Sequence, residues 1–350
     1  MSVFQDLVSA EAMLSIKERL ALAHASAALP PASVIFDLGT SAGGSASIFL
    51  QSSPQSHVHT IDIQDKIHRP LFDAQRLNIY HGNAEQFVAD HPGLIADMVF
   101  IDASHYFFDV ANDFKTMSRA VKDKAIVAFH DCIGPKFPGI MAFCKALVDN
   151  GNLINTHTFD SLFIGEFVAD VPMPDAELCV ENMGQLASML DVWLPAKPAF
   201  SPPQTIRFGK MFASLRGGDS DAPWVVGQGK RGETFAAFVG FDSSRLVHSK
   251  DVSGDDPQCI VCSFYFGEIK RVLQQEKGAR PDSILNSLEV IQYGFYEDLA
   301  FNQGRATMML AKTDFQKDVV RHLAALPEKR LKRLYSYGCF WDILEDMFIR

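Results

Sequence analysis

The sequence of 350 residues lacks three features that would each point to a particular class of protein. It has no run of about 18 apolar residues, so no transmembrane helix is expected. Its N-terminus has no basic segment before an apolar core, and acidic residues such as Glu11 and Glu18 interrupt its apolar positions, which argues against a secretory signal. It also lacks an excess of Lys and Arg, since its formal net charge is −10, and this disfavours binding to a nucleic-acid backbone. We therefore expect a cytoplasmic protein with no membrane partner and no nucleic-acid partner.

Cysteine is also scarce, with six residues in the chain. Only Cys259 and Cys262 stand in a CxxC spacing, whereas a structural zinc site usually needs four ligands. We therefore interpret these two residues as reduced thiols near a strand. Scattered thiols of this kind fit a reducing compartment.

The first half of the chain alternates short apolar runs with stretches of helical periodicity. Strands that are apolar along their whole length, separated by helices, indicate a parallel sheet covered on both faces. The predicted strands are Val34–Leu38, Val58–Ile61, Asn78–His81, Asp97–Ile101 and Ala125–Phe129. The predicted helices are Ser45–Gln51, Ala84–Asp90, Phe108–Val121 and Ile140–Asp149, and a closing pair of strands follows at Leu153–Thr158 and Ser161–Phe167.

Residues before and after this sheet give weaker signals. Apolar residues at helical spacing within 1–29 predict an amphipathic helix that covers the sheet: Phe4, Leu7, Val8, Met13, Leu14 and Leu20. A proline-rich segment at residues 171–203 contains one predicted helix, Asp175–Trp193, with Asp175 as its N-cap. We predict an N-terminal domain at residues 1–170, this linker at 171–203, and an accessory domain at 204–350.

The accessory domain is predicted to be of the α+β type, and its role is left open. Four segments are predicted to be strands, and the pattern is helical from about Glu268 onward. The predicted strands are Gln204–Leu215, Trp224–Val226, Thr234–Phe241 and Cys259–Phe266. Glycines such as Gly227 and Gly229 are interpreted as turn residues between them, and no functional motif is recognised.

The segment Asp37 to Ser45, with the sequence DLGTSAGGS, joins the first predicted strand to the first predicted helix of the sheet. Such a loop can hold a dinucleotide or S-adenosylmethionine. The dinucleotide fingerprint GxGxxG fails here, because Ser41 stands at the glycine that should approach the pyrophosphate. A carboxylate at Asp37 would repel a pyrophosphate and attract the ammonium group of methionine.

This segment resembles the acidic-x-Gly-x-x-x-Gly motif of class I S-adenosylmethionine-dependent methyltransferases. The resemblance covers about residues 30–167 and implies a Rossmann-like, mostly parallel sheet that ends in an antiparallel hairpin. It also implies that Asp62, after the second strand, binds the ribose hydroxyls, and that Asn83 and Ala84 lie against the adenine. The other implied contacts with S-adenosylmethionine come from Asp37, Gly39, Thr40, Ser41, Gly43 and Asp102.

Two further strand ends carry acid and histidine side chains: Asp102 and His105 follow the fourth strand, and His130 and Asp131 follow the fifth. These segments resemble the Methyltransferase_24-like branch, which includes cephalosporin-hydroxylase-like proteins and macrolide sugar O-methyltransferases. The resemblance implies that His105 is a general base for a substrate hydroxyl. It also implies that Asp102, His130 and Asp131 are candidate ligands of a divalent cation such as Mg²⁺. Because Mg²⁺ prefers oxygen ligands, His130 departs from this pattern, and the sequence leaves the metal open.

The sequence therefore predicts an S-adenosylmethionine-dependent methyltransferase that modifies an oxygen of a small molecule, with secondary metabolism as the setting. Transfer to nitrogen or carbon is an alternative within the same class. The contrasting alternative is a non-catalytic scaffold that binds S-adenosylmethionine. The sequence does not decide whether the chain forms a homo-oligomer.

Overall fold

A computed structural model describes residues 13–64, 75–132, 137–193, 202–219, 222–263, 265–336, 343–344 and 347–348. The chain divides into two compact units, Met1–Met183 and Gly184–Arg350. The boundary between the units falls inside the segment predicted as a linker, and the assignment of residues 171–203 as a linker stays a prediction. Within the described residues, no helix is both long enough and apolar enough to cross a bilayer.

The first unit is built on a seven-stranded sheet in the order β3-β2-β1-β4-β5-β7-β6. Its strands are β1 (Val34–Leu38), β2 (His57–Asp62), β3 (Leu77–His81), β4 (Ala96–Ile101), β5 (Val121–Phe129), β6 (Leu153–Phe159) and β7 (Leu162–Phe167). Its helices are α1 (Ile16–Ala27), α2 (Gly44–Ser52), α3 (Ala84–Asp90), α4 (Phe107–Met117) and α5 (Pro138–Asp149). A sixth helix, α6 (Ala176–Trp193), begins in this unit and ends in the next.

Strands β1 to β5 pair in parallel, and β7 pairs antiparallel with both β5 and β6. This is the Rossmann-like sheet of class I methyltransferases, with the predicted hairpin at its end. The apolar runs form its central strands because helices cover both faces, so that Ile35, Phe36 and Phe100 are fully buried. The chain moves from β3 at one edge across to β4 beside β1, which places a topological switch point between β1 and β4, where open α/β sheets bind ligands.

Part of the helical region predicted near the N-terminus is described, and it contains the helix α1. This helix begins at Ile16 behind a capping box made by Ser15 and Glu18, and it packs Leu22 into the core beneath the sheet. Two residues predicted for the buried face, Met13 and Leu20, are instead exposed. The predicted positions Phe4, Leu7 and Val8 lie outside the described residues. The predicted N-cap of α6 is confirmed, because Asp175 caps that helix through a 2.9 Å hydrogen bond from the Leu178 amide.

The second unit contains a four-stranded sheet in the order β11-β10-β8-β9, and all three strand pairings are parallel. Its strands are β8 (Trp224–Val226), β9 (Leu246–Val247), β10 (Cys259–Val261) and β11 (Ile284–Asn286). Its helices are α7 (Pro202–Gly217), α8 (Lys230–Val239), α9 (Phe266–Lys277), α10 (Ser287–Phe301), α11 (Arg305–Leu310), α12 (Asp314–Ala324) and α13 (Glu328–Ser336).

Two strands predicted for this unit were wrong. Gln204–Leu215 lies within α7, and Thr234–Phe241 largely coincides with α8. The buried residues of α7 explain the error, because Phe208, Met211, Phe212 and Leu215 recur at helical spacing rather than in alternation. The strand predicted at Cys259–Phe266 ends at Val261, while β8 has the predicted bounds.

Candidate active site

The glycine loop after β1 has two residues whose backbone requires glycine. Gly39 has a φ of +93°, and a Cβ atom at this position would lie 2.3 Å from the carbonyl oxygen of Asp102. Gly43, with a φ of +84°, is the N-cap of α2. The loop therefore packs directly on the backbone that follows β4, and a side chain at Gly39 would push these two segments apart.

Asp37, at the end of β1, is completely buried. Its Oδ2 accepts hydrogen bonds from the hydroxyls of Ser45 (3.0 Å) and Thr60 (3.1 Å), and Thr60 also contacts the hydroxyl of the buried Thr40. Its Oδ1 accepts no hydrogen bond from the described residues. Burial raises the pKa of Asp37 to about 7, against the lowering effect of the two hydroxyls. A buried carboxylate with an unused oxygen calls for a positively charged partner.

Asp62, at the end of β2, ties the loop to the neighbouring strand. Its Oδ2 accepts the Ser41 amide at 3.0 Å, and its Oδ1 accepts the Gln64 amide at 2.8 Å. Each carboxylate oxygen has a second lone pair. Asp62 can therefore hold the loop in place and still accept hydroxyl donors from a ligand.

Asn83 has a structural role that the sequence did not predict. Its side chain accepts the Gln86 amide at 2.8 Å, and the Gln86 side chain accepts the Asn83 amide, so that the two residues form the capping box of α3. Ala84, the first residue of that helix, is buried. The adenine contacts assigned to Asn83 and Ala84 stay predictions.

The ends of β4 and β5 bring together the four acid and histidine side chains. Ile101 pairs with Phe129 in the sheet, so the residues that follow these two strands are neighbours. Asp102 Oδ1 lies 3.0 Å from Nδ1 of His130, and Asp131 Oδ2 lies 2.8 Å from Nε2 of His105. The side chains of His105 and Asp131 are 38% and 25% exposed, which leaves this second pair accessible to a substrate.

A fifth charged residue, Glu18 of α1, belongs to the same cluster and was not predicted. Its Oε2 lies 3.5 Å from Nε2 of His130, and its Oε1 accepts the amide (2.8 Å) and the hydroxyl (2.6 Å) of Ser161. In the sequence Glu18 is visible only as the fourth residue of a helix-capping box, which gives no sign of a distant histidine. His130 is buried between the carboxylates of Glu18 and Asp102, which are far apart in the sequence.

These carboxylates determine the charge of His130. Burial by itself lowers the pKa of the imidazole, but the hydrogen bond to Asp102 and the charges of Asp102, Asp131 and Glu18 raise it to about 9. His130 is therefore a cation at neutral pH. A cation between two anions fixes the position of Asp102 beside the glycine loop.

This arrangement predicts a pH dependence of stability. The folded-state pKa of about 9 lies above the ordinary value of 6.5, so the stabilisation by His130 is complete below pH 6.5 and is lost as the pH rises through 9. By linkage the full difference is roughly 3 kcal/mol. The measurement is urea unfolding of the wild type and of His130→Gln across this pH range, where the difference between the two should shrink as the pH rises. The same difference at every pH would contradict the assignment, and comparison with the variant cancels the titration of Asp37.

In this arrangement the acid and histidine side chains of the cluster are paired with one another. Asp102 Oδ1 and Asp131 Oδ2 lie against histidine nitrogens, and the assignment of a metal ion to these residues stays a prediction. Among the described residues, no group of three or more His, Cys, Asp or Glu side chains is placed to hold a metal ion. The predicted metal ligands Asp102, His130 and Asp131 are thus brought together, with Asp102 against His130 and Asp131 against His105.

The comparison with protein families identifies the segment that carries these residues. Residues 36–132 match the family model Methyltransf_24, described as a methyltransferase domain. Residues 36–132 of the first unit are therefore similar to a methyltransferase domain. The match begins inside β1 and ends just after Asp131, so it includes the glycine loop and both strand ends of the cluster.

Solved structures of methyltransferases resemble about half of the chain at low sequence identity. MycE, a methyltransferase from the mycinamycin biosynthetic pathway in complex with Mg, SAH and mycinamycin VI, is 18% identical with a TM-score of 0.40, over 48% of this chain and 56% of MycE. The O-methyltransferase TomG from Streptomyces achromogenes, in complex with SAM, is 16% identical with a TM-score of 0.39, over 48% of this chain and 90% of TomG. The chain thus spans little more than half the length of MycE. No curated protein matches the sequence.

Proposed function

We propose that the protein transfers a methyl group from S-adenosylmethionine to a hydroxyl oxygen of a small-molecule metabolite. The observation that carries this proposal is the partly exposed His105–Asp131 pair, 2.8 Å apart, at the same edge of the sheet as the glycine loop and the buried Asp37. A general base held by a carboxylate beside a cofactor loop is what methylation of a weakly acidic hydroxyl requires.

The residues around the glycine loop fit the cofactor. The unused Oδ1 of Asp37 is suited to the methionine ammonium, and Asp62 offers its remaining lone pairs to the ribose hydroxyls. Gly39 and Gly43 place no side chain at two positions of the loop. S-adenosylmethionine supplies an activated methyl group on a sulfonium. The chain's own contribution is to align the acceptor oxygen with that methyl group and to remove the proton from the acceptor.

His105 performs the proton transfer in this proposal. Because the Asp131 carboxylate can only accept a hydrogen bond, Nε2 of His105 carries the proton and Nδ1 is the basic nitrogen. The acceptor hydroxyl gives its proton to Nδ1, and Asp131 stabilises the imidazolium that forms. The ring of Phe137, with its centroid 4.5 Å from that of His105, restricts the imidazole from one side.

Asp102 acts as a positioning residue. It is held by His130, which is held in turn by Glu18, and its backbone contacts Gly39. None of these roles requires a metal ion. The proposal places the reaction in the cytoplasm and in secondary metabolism, with a small-molecule acceptor as the partner.

Binding of S-adenosylhomocysteine tests the cofactor part of the proposal. Isothermal titration should show micromolar affinity for the wild type, which is about −8 kcal/mol. Asp62→Ala should weaken binding by about 1.5–3 kcal/mol, since it removes charge-assisted hydrogen bonds to the ligand and to the loop amides. Asp149→Ala is the control, because Asp149 pairs with Lys145 on the surface of α5. Binding of NAD without any binding of S-adenosylhomocysteine would overturn the assignment.

Analysis of the product distinguishes methyl transfer to oxygen from transfer to nitrogen or carbon and from a non-catalytic scaffold. Mass spectrometry and NMR of the methylated product separate transfer to oxygen from transfer to nitrogen or carbon. A scaffold would bind S-adenosylhomocysteine with the affinity given above and show no turnover with any acceptor.

A further inference from the structure

The second unit contains another glycine-rich turn, and this one has the full dinucleotide spacing. Gly227-Gln228-Gly229-Lys230-Arg231-Gly232 follows the last residue of β8 directly and runs into the first turn of α8. The pattern GxGxxG is informative when it joins a strand to a helix in a parallel sheet, and here it does both. The sequence alone did not reveal it, because α8 was predicted as a strand.

The three glycines have three different surroundings. A Cβ atom on Gly227, whose φ is +143°, would lie 2.6 Å from the carbonyl oxygen of Cys262, and one on Gly232 would lie 2.0 Å from the carbonyl oxygen of Gly227. A Cβ atom on Gly229 would meet nothing within 4 Å. The first glycine therefore permits the tight turn, the third permits close packing of helix and strand, and the second opens onto free space. This is the division of roles that a diphosphate-binding loop requires.

The free space is a cavity of about 460 Å³ at the carboxyl ends of β8, β9 and β10. The sheet order places β9 on one side of β8 and β10 on the other, so the cavity lies at the topological switch point of this sheet. Ligands of open α/β sheets bind at that point. The cavity is large enough for a nucleotide, since small-molecule sites range from about 300 to 1,000 Å³.

The lining of the cavity is positive and contains an exposed aromatic ring. The cations Lys230 and Arg231 line it, and none of the described residues that line it is an Asp or a Glu, although the whole chain carries a net charge of −10. Tyr265, at its rim, is 69% exposed. No side chain among the described residues caps the N-terminus of α8. Cations, helix amide groups and a stacking surface are together the groups that recognise a phosphorylated nucleotide.

We propose that the cavity beside β8 binds a nucleoside diphosphate, with the diphosphate on the Gly227–Gly232 loop and the base against Tyr265. The site belongs to the second unit alone and is independent of the methyl-transfer proposal. After β9, where a site for NAD carries an acidic residue, the cavity is lined by His248 and Ser249. Nδ1 of His248 accepts the Lys250 amide, so the proton lies on Nε2, which is a donor. A hydrogen-bond donor in place of an acidic residue favours a phosphorylated ribose over the free diol of NAD.

Isothermal titration of the full-length protein tests the proposal, with ADP, NADPH, NAD and adenosine as probes. All titrations contain saturating S-adenosylhomocysteine, so that the first unit's loop does not contribute.

ADP and NADPH should bind at micromolar concentration, and adenosine should bind at least about tenfold more weakly because it lacks the phosphates. Equal affinity for ADP and NADPH would identify a nucleoside diphosphate as the ligand, and tighter binding of NADPH than of ADP and NAD would identify a 2′-phosphorylated dinucleotide. Adenosine binding as tightly as ADP, or no binding of ADP or NADPH, would overturn the proposal.

Gly229→Val tests the position of the site. Its φ of 168° suits any residue, and its Cβ would meet open space, so the variant should fold while its side chain fills the cavity and weakens ADP binding by at least about tenfold. The matched control is Gly267→Val, because Gly267 also has open space around its Cβ position and does not line the cavity. Equal losses in the two variants would contradict the site. Should Gly229→Val fail to fold, Lys230→Ala decides, since removing a lining cation must weaken ADP more than adenosine.

Discussion

Replacing His105 with alanine is expected to lower turnover by about 10²- to 10⁴-fold, the usual contribution of a general base. The reason is that Nδ1 of His105 is the proposed acceptor of the substrate proton, with Nε2 fixed 2.8 Å from Asp131. Affinity for S-adenosylhomocysteine should stay unchanged, since the cofactor contacts are assigned to the loop after β1 and to Asp62. The measurement is release of S-adenosylhomocysteine with any acceptor that the wild-type protein methylates.

Two further variants sharpen this result. Asp131→Asn should lower turnover by a smaller factor, because it keeps a hydrogen-bond partner for the imidazole and removes the charge that stabilises its protonated form. His157→Ala is the control, since His157 is exposed on β6 of the same unit. Wild-type turnover in His105→Ala would remove the base and leave alignment of the acceptor as the source of the rate.

Gly39→Val is expected to eliminate measurable binding of S-adenosylhomocysteine and to lower the free energy of unfolding. A valine at a φ of +93° is strained by about 1–3 kcal/mol, and its Cβ would lie 2.3 Å from the Asp102 carbonyl oxygen, which costs a similar amount in displaced backbone. The displacement moves the loop away from Asp37 and Asp62 together. Isothermal titration and urea unfolding of the same preparation measure both effects.

Gly93→Val separates the overlap from the backbone strain. Gly93 has a similar φ of +87°, but a Cβ atom there would meet nothing within 4 Å. In this variant only the backbone strain should lower the free energy of unfolding, by about 1–3 kcal/mol. Its affinity for S-adenosylhomocysteine should equal that of the wild type. If both variants bound the ligand like the wild type, the glycine loop would not be the cofactor site.

The predictable part of the fold is the part whose signals are local. β1 and α3 have the predicted bounds, because an apolar run between turn residues and a capping residue act within a few positions of the chain. The same approach failed for α7 and α8, where short apolar pairs fit either an alternating or a helical period. The wrong prediction for α8 also hid the GxGxxG turn, since that motif is meaningful only between a strand and a helix.

The candidate site shows the same division. The sequence placed Asp102, His105, His130 and Asp131 after neighbouring strands, and the structure brings them together at one edge of the sheet. The sequence could not predict that Glu18 belongs to this cluster, because the contact between α1 and His130 joins distant parts of the chain. The sequence offered His130 as an uncertain metal ligand, and only the structure shows that it is buried between Asp102 and Glu18.

By itself, the sequence determined which residues stand at strand ends and in glycine turns, because backbone sterics and hydrophobic periodicity act over a few residues. It thereby determined the class of the first unit and its candidate chemistry. Only the tertiary structure decided how the charges pair: Asp102 with His130, and Asp131 with His105. It also decided that β8 and α8 enclose a second glycine turn. Pairing and enclosure depend on distances between segments that are remote in sequence, and those distances are set by packing of the whole unit.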